Sequence, residues 1–273
     1  MEEKTILITG STDGIGKQTA LELAQKGHRI LIHGKDKAKG ENTLEEIKKN
    51  SSNEKIELYI ADFSSLKQVR QLASDIQKEH DRLDVLINNA GVYSNKKVIT
   101  EDNLELTFQV NYLSHFLLNI KLLPLIKKSS PSRIINVSSV AHQSADFDMN
   151  NLQGELKYSG YNAYAISKLC DLIFTLELAE RLKDSGVTVN ALHPGVIGTK
   201  LLFAGFSSAG ADVKVGAETP VFLATAPEVE KTTGKYFVRK KETKAASFAY
   251  NQKERSMLWD LSLELTGINE PPV

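Results

Sequence analysis

The sequence predicts an α/β protein, a single-domain, doubly wound fold with a seven-stranded parallel sheet and helices on both faces. Three observations predict it. Short runs rich in β-branched residues alternate with amphipathic stretches of ten or more residues, which is the pattern of βαβ units. Because crossovers between parallel strands are nearly always right-handed, such units favour a doubly wound sheet. A glycine-rich segment lies between the first strand and the first helix.

The strands are expected at residues 5–9, 29–33, 56–60, 85–88, 133–137, 188–192 and 234–238. Helices are expected at residues 15–26, 66–80, 104–128, 164–182 and 252–265, with a charged helix through Leu44 and Ile47. Pro124 is expected to bend the long helix or to end it early, because proline has no N–H to donate.

Two polar stretches, at about residues 141–162 and 200–216, do not fit the alternation and are predicted to be irregular loops. Both follow predicted strands. Because ligands bind at the carboxyl ends of the strands in doubly wound sheets, these loops are the candidates to shape a substrate site within the single domain of residues 1–273.

The composition excludes several classes of function. The chain of 273 residues has 34 Lys+Arg against 34 Asp+Glu and a formal net charge of 0, which argues against a nucleic-acid-binding surface. The single cysteine, Cys170, cannot form an internal disulfide and is interpreted as a core thiol. No apolar run is long enough for a signal sequence or a membrane anchor. We therefore expect a cytoplasmic protein.

No metal site is expected from the sequence. His115, His142 and His193 are scattered along the chain, and they lack the spacing of metal ligands.

The glycine-rich segment at residues 9–16 has the spacing G-x3-G-x-G, formed by Gly10, Gly14 and Gly16. Glycines let the backbone turn sharply and let a pyrophosphate approach a helix N-terminus without Cβ clashes. The spacing differs from the G-x-G-x-x-G fingerprint, so a tight turn without a ligand stays open for this segment alone. Its position at the first strand-to-helix junction favours dinucleotide binding.

A residue that reads the adenosine ribose is expected about 20 residues after this turn. The chain has Gly34, Lys35 and Asp36 there. A cation at Lys35 suits a 2′-phosphate, so NADP is predicted over NAD, with Lys17 as a second positive contact. The alternative is that Asp36 binds the ribose hydroxyls of NAD; Asp36 is also a suitable N-cap for the following helix.

Tyr164 and Lys168 lie four residues apart, on one face of a predicted helix. A phenol, with an ordinary pKa of about 10, exchanges protons poorly at neutral pH. A fixed cation nearby favours the phenolate and makes the group a usable acid or base. Such pairs also occur by chance on exposed helices. This helix is apolar on nearly every side, however, and a buried Lys168 needs a partner for its charge.

Together these motifs resemble the classical short-chain dehydrogenases/reductases. The resemblance is carried, in chain order, by the turn at residues 9–16, Asp62, Asn88-Asn89-Ala90-Gly91, Asn111, Ser138-Ser139, Tyr164 with Lys168, and Pro194-Gly195 with Thr199. Segments 110–118, 234–238 and 258–262 are similar to the retinol-dehydrogenase-like and WW-domain-oxidoreductase-like branch. The resemblance implies a Rossmann fold and hydride transfer between a nicotinamide and a carbonyl or alcohol carbon.

The resemblance also implies a role for each matched residue. Tyr164 would exchange the proton at the substrate oxygen, and Lys168 would favour the phenolate and bind the nicotinamide ribose. Ser139, rather than Ser138, would hydrogen-bond the substrate oxygen. Asn111 would hold a water that links Lys168 to solvent. The implied cofactor-binding residues are Gly10, Ser11, Gly14, Ile15 and Gly16 at the pyrophosphate, Asp62 at the adenine, Asn88 and Ala90 at the adenosine ribose, and Pro194, Gly195 and Thr199 at the nicotinamide, together with Lys35, Tyr164 and Lys168.

An apolar patch in the second loop, formed by Leu201, Leu202, Phe203 and Phe206, favours a hydrophobic carbonyl or alcohol substrate. One rival hypothesis is a catalytically silent module that senses a dinucleotide, but a pure binder needs neither Ser139 nor Tyr164. A second rival is a sugar-nucleotide epimerase or dehydratase, which shares the Tyr–Lys pair but usually has a larger C-terminal domain.

The helices at residues 104–128 and 164–182 are apolar beyond one stripe. This pattern predicts a homodimer or homotetramer with a helix-pair interface, unless other parts of the same chain cover these faces.

Overall fold

A parallel sheet forms the centre of the structure, a computed structural model that describes residues 2–205 and 209–273. Its strands are β1 (Thr5–Ile8), β2 (Arg29–Gly34), β3 (Ile56–Ile60), β4 (Val85–Asn88), β5 (Ser132–Val137), β6 (Val187–His193), β7 (Lys235–Val238) and β8 (Lys241–Thr243). They form one sheet in the order β3-β2-β1-β4-β5-β6-β7-β8. The direction of winding reverses between β1 and β4, and this is where doubly wound sheets bind ligands.

All seven predicted strands are present and parallel, and β8 is an addition that the sequence analysis missed. It pairs antiparallel with β7 across a two-residue turn at Arg239 and Lys240, both of which have positive φ. Such hairpin turns usually show Asn-Gly or a similar pair. Neither that signal nor an apolar pattern is present, since the three residues of β8 are all exposed.

The helices are α1 (Gly14–Gln25), α2 (Lys37–Ser51), α3 (Leu66–Glu79), α4 (Leu106–Phe108), α5 (Ser114–Lys128), α6 (Gly160–Arg181), α7 (Lys200–Gly205), α8 (Val213–Thr225) and α9 (Gln252–Leu265). A π-helical segment, Gln109–Leu113, joins α4 to α5. Two hydrophobic clusters lie on the two faces of the sheet. Residues from α1, α2 and α8 pack with Ile6 and Ile8 of β1, and residues from α3, α5, α6 and α9 pack with Leu7. The alternation along β1 therefore fills both layers.

Pro124 does not end the long helix early, because α5 continues through it to Lys128. A proline inside a helix costs roughly 3 kcal/mol. The flanking side chains Leu122, Leu123, Leu125 and Ile126 are all buried, and burying each stabilises the fold by roughly 1.5–3 kcal/mol. Packing against the sheet therefore outweighs the lost hydrogen bond.

The two stretches predicted to be irregular are partly helical. Val140–Ser144 forms a 3-10 helix and α6 already begins at Gly160, while α7 and the first residues of α8 occupy much of residues 200–216. These helices are short or polar, so hydrophobic periodicity does not reveal them.

The apolar faces of α5 and α6 are covered within the chain. α5 packs on α3, and α6 packs on α9; most residues of both helices are buried in this single copy. The apolar residues that these two helices carry beyond one stripe therefore give no argument for a helix-pair interface between copies of the chain. Within residues 2–205 and 209–273, no helix has both the length and the apolar character that crossing a bilayer requires.

Candidate active site

A cavity of about 1000 Å³ opens at the carboxyl ends of the strands, which is at the upper end of the range of roughly 300–1,000 Å³ for ligand pockets. Except for Ser11, Lys17, Asn88 and Asn111, every site residue predicted from the sequence lines it. These lining residues are Gly10, Gly14, Ile15, Gly16, Lys35, Asp62, Ala90, Ser139, Tyr164, Lys168, Pro194, Gly195 and Thr199.

The glycine turn requires glycine at Gly10 and Gly16. Gly10 has φ +62, and a Cβ there would lie 2.7 Å from the Cα of Ala90. At Gly16 a Cβ would lie 2.4 Å from the Nδ2 of Asn89 and 2.5 Å from the Gly10 carbonyl oxygen. The turn is thus packed directly against the segment after β4, and it leaves the N-terminus of α1 open to the cavity, as anion-binding helix N-termini require.

Side-chain hydrogen bonds hold the turn to that segment. The Thr9 hydroxyl accepts from the backbone N–H groups of Asn89 (2.9 Å) and Ala90 (3.0 Å). The Asn89 amide donates to the carbonyl oxygens of Thr9 (2.9 Å) and Gly10 (3.1 Å). Asn89 lines the cavity. The predicted Asn88 does not: it is buried and donates to the Asn136 amide oxygen at 2.7 Å.

Ser11 and His33 form a second support beneath the turn. The Ser11 hydroxyl donates to the Ile8 carbonyl and accepts from the His33 N–H, so it braces the turn rather than facing the cavity. His33 Nδ1 accepts from the Gly10 N–H at 3.1 Å, and its Nε2 donates to the Ala61 carbonyl at 3.0 Å. Burial lowers the pKa of His33 to about 4. The imidazole is therefore neutral at pH 7.

Lysines and aspartates alternate around the outer end of the cavity. Lys35 Nζ lies 3.9 Å from an Asp62 carboxylate oxygen. Lys39 and Lys200 both approach Asp13 of the glycine turn, at 2.5 and 3.1 Å. The hydrogen bond from Lys39 lowers the pKa of Asp13 to about 2. The side chains in all of these pairs are exposed, by at least 36%.

Two predictions about charged residues here are decided by their contacts. Asp36 accepts from the Lys39 N–H at 2.9 Å and caps α2, so the capping interpretation of this carboxylate is confirmed. Lys17 pairs with Glu46 at 2.6 Å and does not line the cavity. Its predicted contact with the cofactor was therefore wrong, and Lys39 stands in the place predicted for it.

Deeper in the cavity, Tyr164 and Lys168 project from α6. The Lys168 ammonium lies 6.0 Å from the centroid of the Tyr164 ring. It donates to the Val137 carbonyl at 2.8 Å and to the Asp171 carboxylate at 2.9 Å. Burial lowers the pKa of Lys168, but the charge of Asp171 and the interaction with Tyr164 outweigh it, and the net pKa is raised. Burial also raises the pKa of Asp171, against the opposing charge of Lys168.

The turn that follows β5 places the two serines differently. The Ser138 hydroxyl donates to the Lys168 carbonyl at 2.7 Å and so joins β5 to α6. Ser139, the predicted residue, caps the 3-10 helix by accepting from the Ala141 N–H. Two histidines brace it: His142 Nδ1 donates to the Ser139 carbonyl at 2.6 Å, and His193 Nδ1 accepts from the Val140 N–H at 3.3 Å. Burial lowers the pKa of both histidines.

Asn111 lies in the π-helical segment and is fully buried. Its side-chain oxygen accepts from the Val92 N–H at 2.8 Å, and its amide donates to the Val92 carbonyl and the Ser167 hydroxyl, both at 3.0 Å. Its backbone carbonyl accepts from His115 Nδ1 at 2.8 Å. Asn111 thus fastens the segment after β4 to α6 from behind the cavity, and its predicted water-holding role stays a prediction.

The remaining wall of the cavity is largely apolar. Val92 lines it together with Leu201 and Leu202 of α7, and the Tyr93 ring lies 5.8 Å from the Tyr164 ring. Phe203 is 65% exposed and does not line it. Phe206, also predicted to belong to this patch, lies outside the described residues.

Residues 4–206 match the family model described as short chain dehydrogenase. The chain belongs to the short-chain dehydrogenase family. It is 40% identical to retinol dehydrogenase 13 of Mus musculus over 97% of this chain and 84% of that protein. It is also 40% identical to retinol dehydrogenase 12 of Homo sapiens, over 97% of this chain and 87% of the relative. It is thus an NAD(P)-dependent oxidoreductase that acts on alcohols or carbonyl compounds.

Solved structures agree with this membership. An uncharacterized protein from Mycobacterium paratuberculosis superposes with a TM-score of 0.82 at 29% identity, covering 99% of this chain and 95% of that one. The RhlG protein of Pseudomonas aeruginosa, in a complex with NADP, has a TM-score of 0.70 at 25% identity and covers 86% of this chain and 93% of its own.

The sequence analysis of this short-chain dehydrogenase missed four residues at the site. Two of them are close in sequence to predicted site residues and could have been found from them: Lys39 follows Lys35 by four residues, and Asn89 adjoins Asn88. Asp171 lies one helical turn after Lys168, where a partner for a buried charge is to be sought. His33 had no signal, because its contacts come from the glycine turn and from the residue after β3.

One cluster elsewhere has ligand atoms close enough to hold a metal ion. In the described part of the chain it consists of Glu57, Glu79 and His80. These groups already have protein partners, since Tyr59 bonds to Glu79 and His80, and Arg29 pairs with Glu57. None of the three residues lines the cavity.

Proposed function

We propose that this enzyme is an NADP-preferring alcohol or carbonyl oxidoreductase for hydrophobic substrates, with Tyr164 as its acid/base. The observation that carries the proposal is the shared cavity: Tyr164, Lys168 and Ser139 line the same space as the glycine turn. A dinucleotide bound along the glycine turn can therefore place its nicotinamide beside the Tyr164 phenol, where the substrate oxygen would also bind.

The glycine turn, the open N-terminus of α1 and the segments after β4 and β6 fit a dinucleotide, since a Cβ at Gly10 or Gly16 would fill the cradle. When bound, NADPH would supply the hydride in reduction and NADP⁺ would accept it in oxidation. Tyr164 gives the proton to the substrate oxygen in reduction and takes it in oxidation. Lys168 holds a fixed positive charge beside it, and Ser139 donates a hydrogen bond to the same oxygen.

Three features support NADP over NAD. Lys35 and Lys39 both line the outer end of the cavity, where a 2′-phosphate would lie. One carboxylate oxygen of Asp36, the candidate for the ribose hydroxyls of NAD, is already engaged in capping α2. The RhlG relative was solved with NADP.

The apolar wall formed by Val92, Leu201 and Leu202 supports a hydrophobic substrate. The curated relatives are named for retinol, an alcohol with a long apolar chain. Retinoids therefore join aliphatic aldehydes, ketones and steroids as the substrates to be tested first with NADPH.

The cytoplasmic location, the single domain of residues 1–273 and the homodimer or homotetramer stay predictions. Light scattering on a sizing column decides the oligomeric state.

The decisive experiment is Tyr164→Phe. We expect turnover to fall by about 10²–10⁴-fold, the usual size of a general acid–base contribution, while the Kd for NADPH stays close to that of the wild type. Tyr250→Phe is the matched control, because it removes the hydroxyl of a tyrosine that is half-exposed and does not line the cavity. Retained turnover in Tyr164→Phe would contradict the acid/base role. NADPH binding without turnover of any substrate by the wild type would favour the silent binding module.

A further inference from the structure

The Lys168 ammonium has a carboxylate partner that the proposed chemistry does not use. Asp171 Oδ2 lies 2.9 Å from Lys168 Nζ, and the side chains of the two residues are only 4% and 5% exposed. A carboxylate buried this deeply is costly unless it is paired. Because water does not screen the pair, the negative charge of Asp171 also acts on its other neighbours on α6.

We propose that Asp171 is a positioning residue that fixes the pH at which the Tyr164–Lys168 pair loses its first proton. Before that loss the pair carries one positive charge, and after it the pair is neutral. A nearby negative charge stabilises the protonated pair and has no net attraction for the neutral one. Asp171 therefore keeps the proton on the pair to a higher pH than Lys168 and Tyr164 would alone.

The Val137 carbonyl completes the geometry. It accepts from Lys168 at 2.8 Å on the side of β5, so two fixed oxygens, from β5 and from the next turn of α6, set the direction of the ammonium. In this arrangement the ammonium stays within 6.0 Å of the Tyr164 ring centroid. Asp171 thus determines both where the cation lies and how much of its charge Tyr164 experiences.

Burial raises the pKa of Asp171 itself to about 6, so its carboxylate is charged above that pH. Burial moves the pKa values of several neighbouring groups away from neutrality. Burial lowers the pKa of His115 on α5 to about 3. Burial also raises the pKa values of Tyr112, in the π-helical segment, and of Cys170, on α6, well above their ordinary values. Burial raises the pKa of Tyr93, on the segment after β4. Tyr161, one turn before Tyr164, lines the cavity and bonds to Ser144.

The test is Asp171→Asn, which removes the charge and keeps the shape. This inference rests on the proposed acid/base role of Tyr164 for its kinetic readout. We expect the midpoint of the pH profile of kcat/KM for alcohol oxidation to move to lower pH by about one unit, the size typical of the loss of a nearby opposite charge in a buried site. An unchanged midpoint, or a shift to higher pH, overturns the inference.

A second readout uses the protein without cofactor or substrate. Tyrosinate absorbance is titrated in the wild type and in Asp171→Asn, each with and without Tyr164→Phe, so that the difference isolates Tyr164. We expect the Tyr164 signal to appear at lower pH in Asp171→Asn. If the signal does not move, the inference fails even if the enzyme is active. If it moves while the wild type turns over no substrate, only the proposed function fails.

Two further variants separate charge from structure. Glu177→Gln makes the same carboxylate-to-amide change on the same helix, at a carboxylate that is 9% exposed and paired with Arg181. It lies 13 residues from Tyr164, roughly 20 Å along the helix, so its profile should match the wild type. Asp171→Glu keeps the charge and should restore most of the wild-type midpoint. If Asp171→Asn does not fold, Asp171→Ser carries the same expected shift, because its smaller side chain leaves room for water beside Lys168.

Discussion

The two ends of the cavity carry similar charges in different surroundings. At the outer end, Lys35, Lys39 and Lys200 pair with Asp62 and Asp13 in contacts that solvent reaches. At the inner end, Lys168 and Asp171 form one pair that is almost fully buried. Exposed pairs are worth about 0–1 kcal/mol and weaken with salt, whereas breaking a buried pair costs roughly 3–5 kcal/mol.

This difference matches what each end is proposed to do. Cations in weak, exposed pairs can exchange an aspartate for a ligand phosphate at little cost. A cation that sets the acidity of a phenol must instead keep one position through every turnover. The outer lysines are thus suited to binding and Lys168 to fixed electrostatics.

The largest expected effect on stability follows from breaking the inner pair. Lys168→Met leaves Asp171 buried without a partner, so we expect the free energy of unfolding to fall by about 3–5 kcal/mol. Urea denaturation followed by the fluorescence of Trp259, the single tryptophan, measures it. The double variant Lys168→Met with Asp171→Leu should recover most of the loss, because no charge remains buried. A single variant within about 1 kcal/mol of the wild type would show that the inner pair is no stronger than an exposed one.

A smaller effect concerns the neutral histidine under the outer end. The pKa of His33 is about 4 in the folded protein and about 6.5 in an unfolded chain. Between these values the unfolded state binds the proton and the folded state does not, so the free energy of unfolding falls as the pH drops from 6.5 to 4. The contribution of His33 is at most about 1.4 kcal/mol per pH unit.

His33→Asn checks this contribution, because its amide oxygen can still accept from Gly10 but the side chain does not titrate in this pH range. Urea denaturation at several pH values should show a shallower acid dependence for the variant. The same slope in both proteins would contradict a role for His33. His115, with a pKa of about 3 for the same reason, leaves part of the dependence in place.

The smallest effect on stability is expected at the outer lysines, where the effect on binding is the informative one. Lys35→Ala and Lys39→Ala should each change the free energy of unfolding by less than about 1 kcal/mol. Each should weaken NADPH binding roughly tenfold, as the loss of a charged hydrogen bond does, and weaken NADH binding much less. Titration by nicotinamide fluorescence at low and high salt measures both.

Lys17→Ala is the control for these variants, since Lys17 pairs with Glu46 outside the cavity. It should leave the ratio of the NADPH and NADH affinities unchanged. Equal losses of both cofactors in Lys35→Ala and Lys39→Ala would remove the argument for NADP.

The sequence by itself determined the fold class, the position of the seven parallel strands and the family. The alternation of strand and helix periodicities is a local property of the sequence, and the order of the motifs at the predicted strand ends identifies the family. The pairing of Tyr164 with Lys168 also follows from helical spacing alone, and both line the cavity.

Only the tertiary structure decided how neighbouring candidates divide their roles. Asn89 rather than Asn88 faces the cavity, Lys39 rather than Lys17 reaches the outer end, and Asp171 partners Lys168. One residue along a strand reverses the face of a side chain, and the partner of a charge depends on which elements pack together. Hydrophobic periodicity records which face is buried but not which polar group meets which, so these contacts exist only once β1, β4, β5 and α6 have converged on one edge of the sheet.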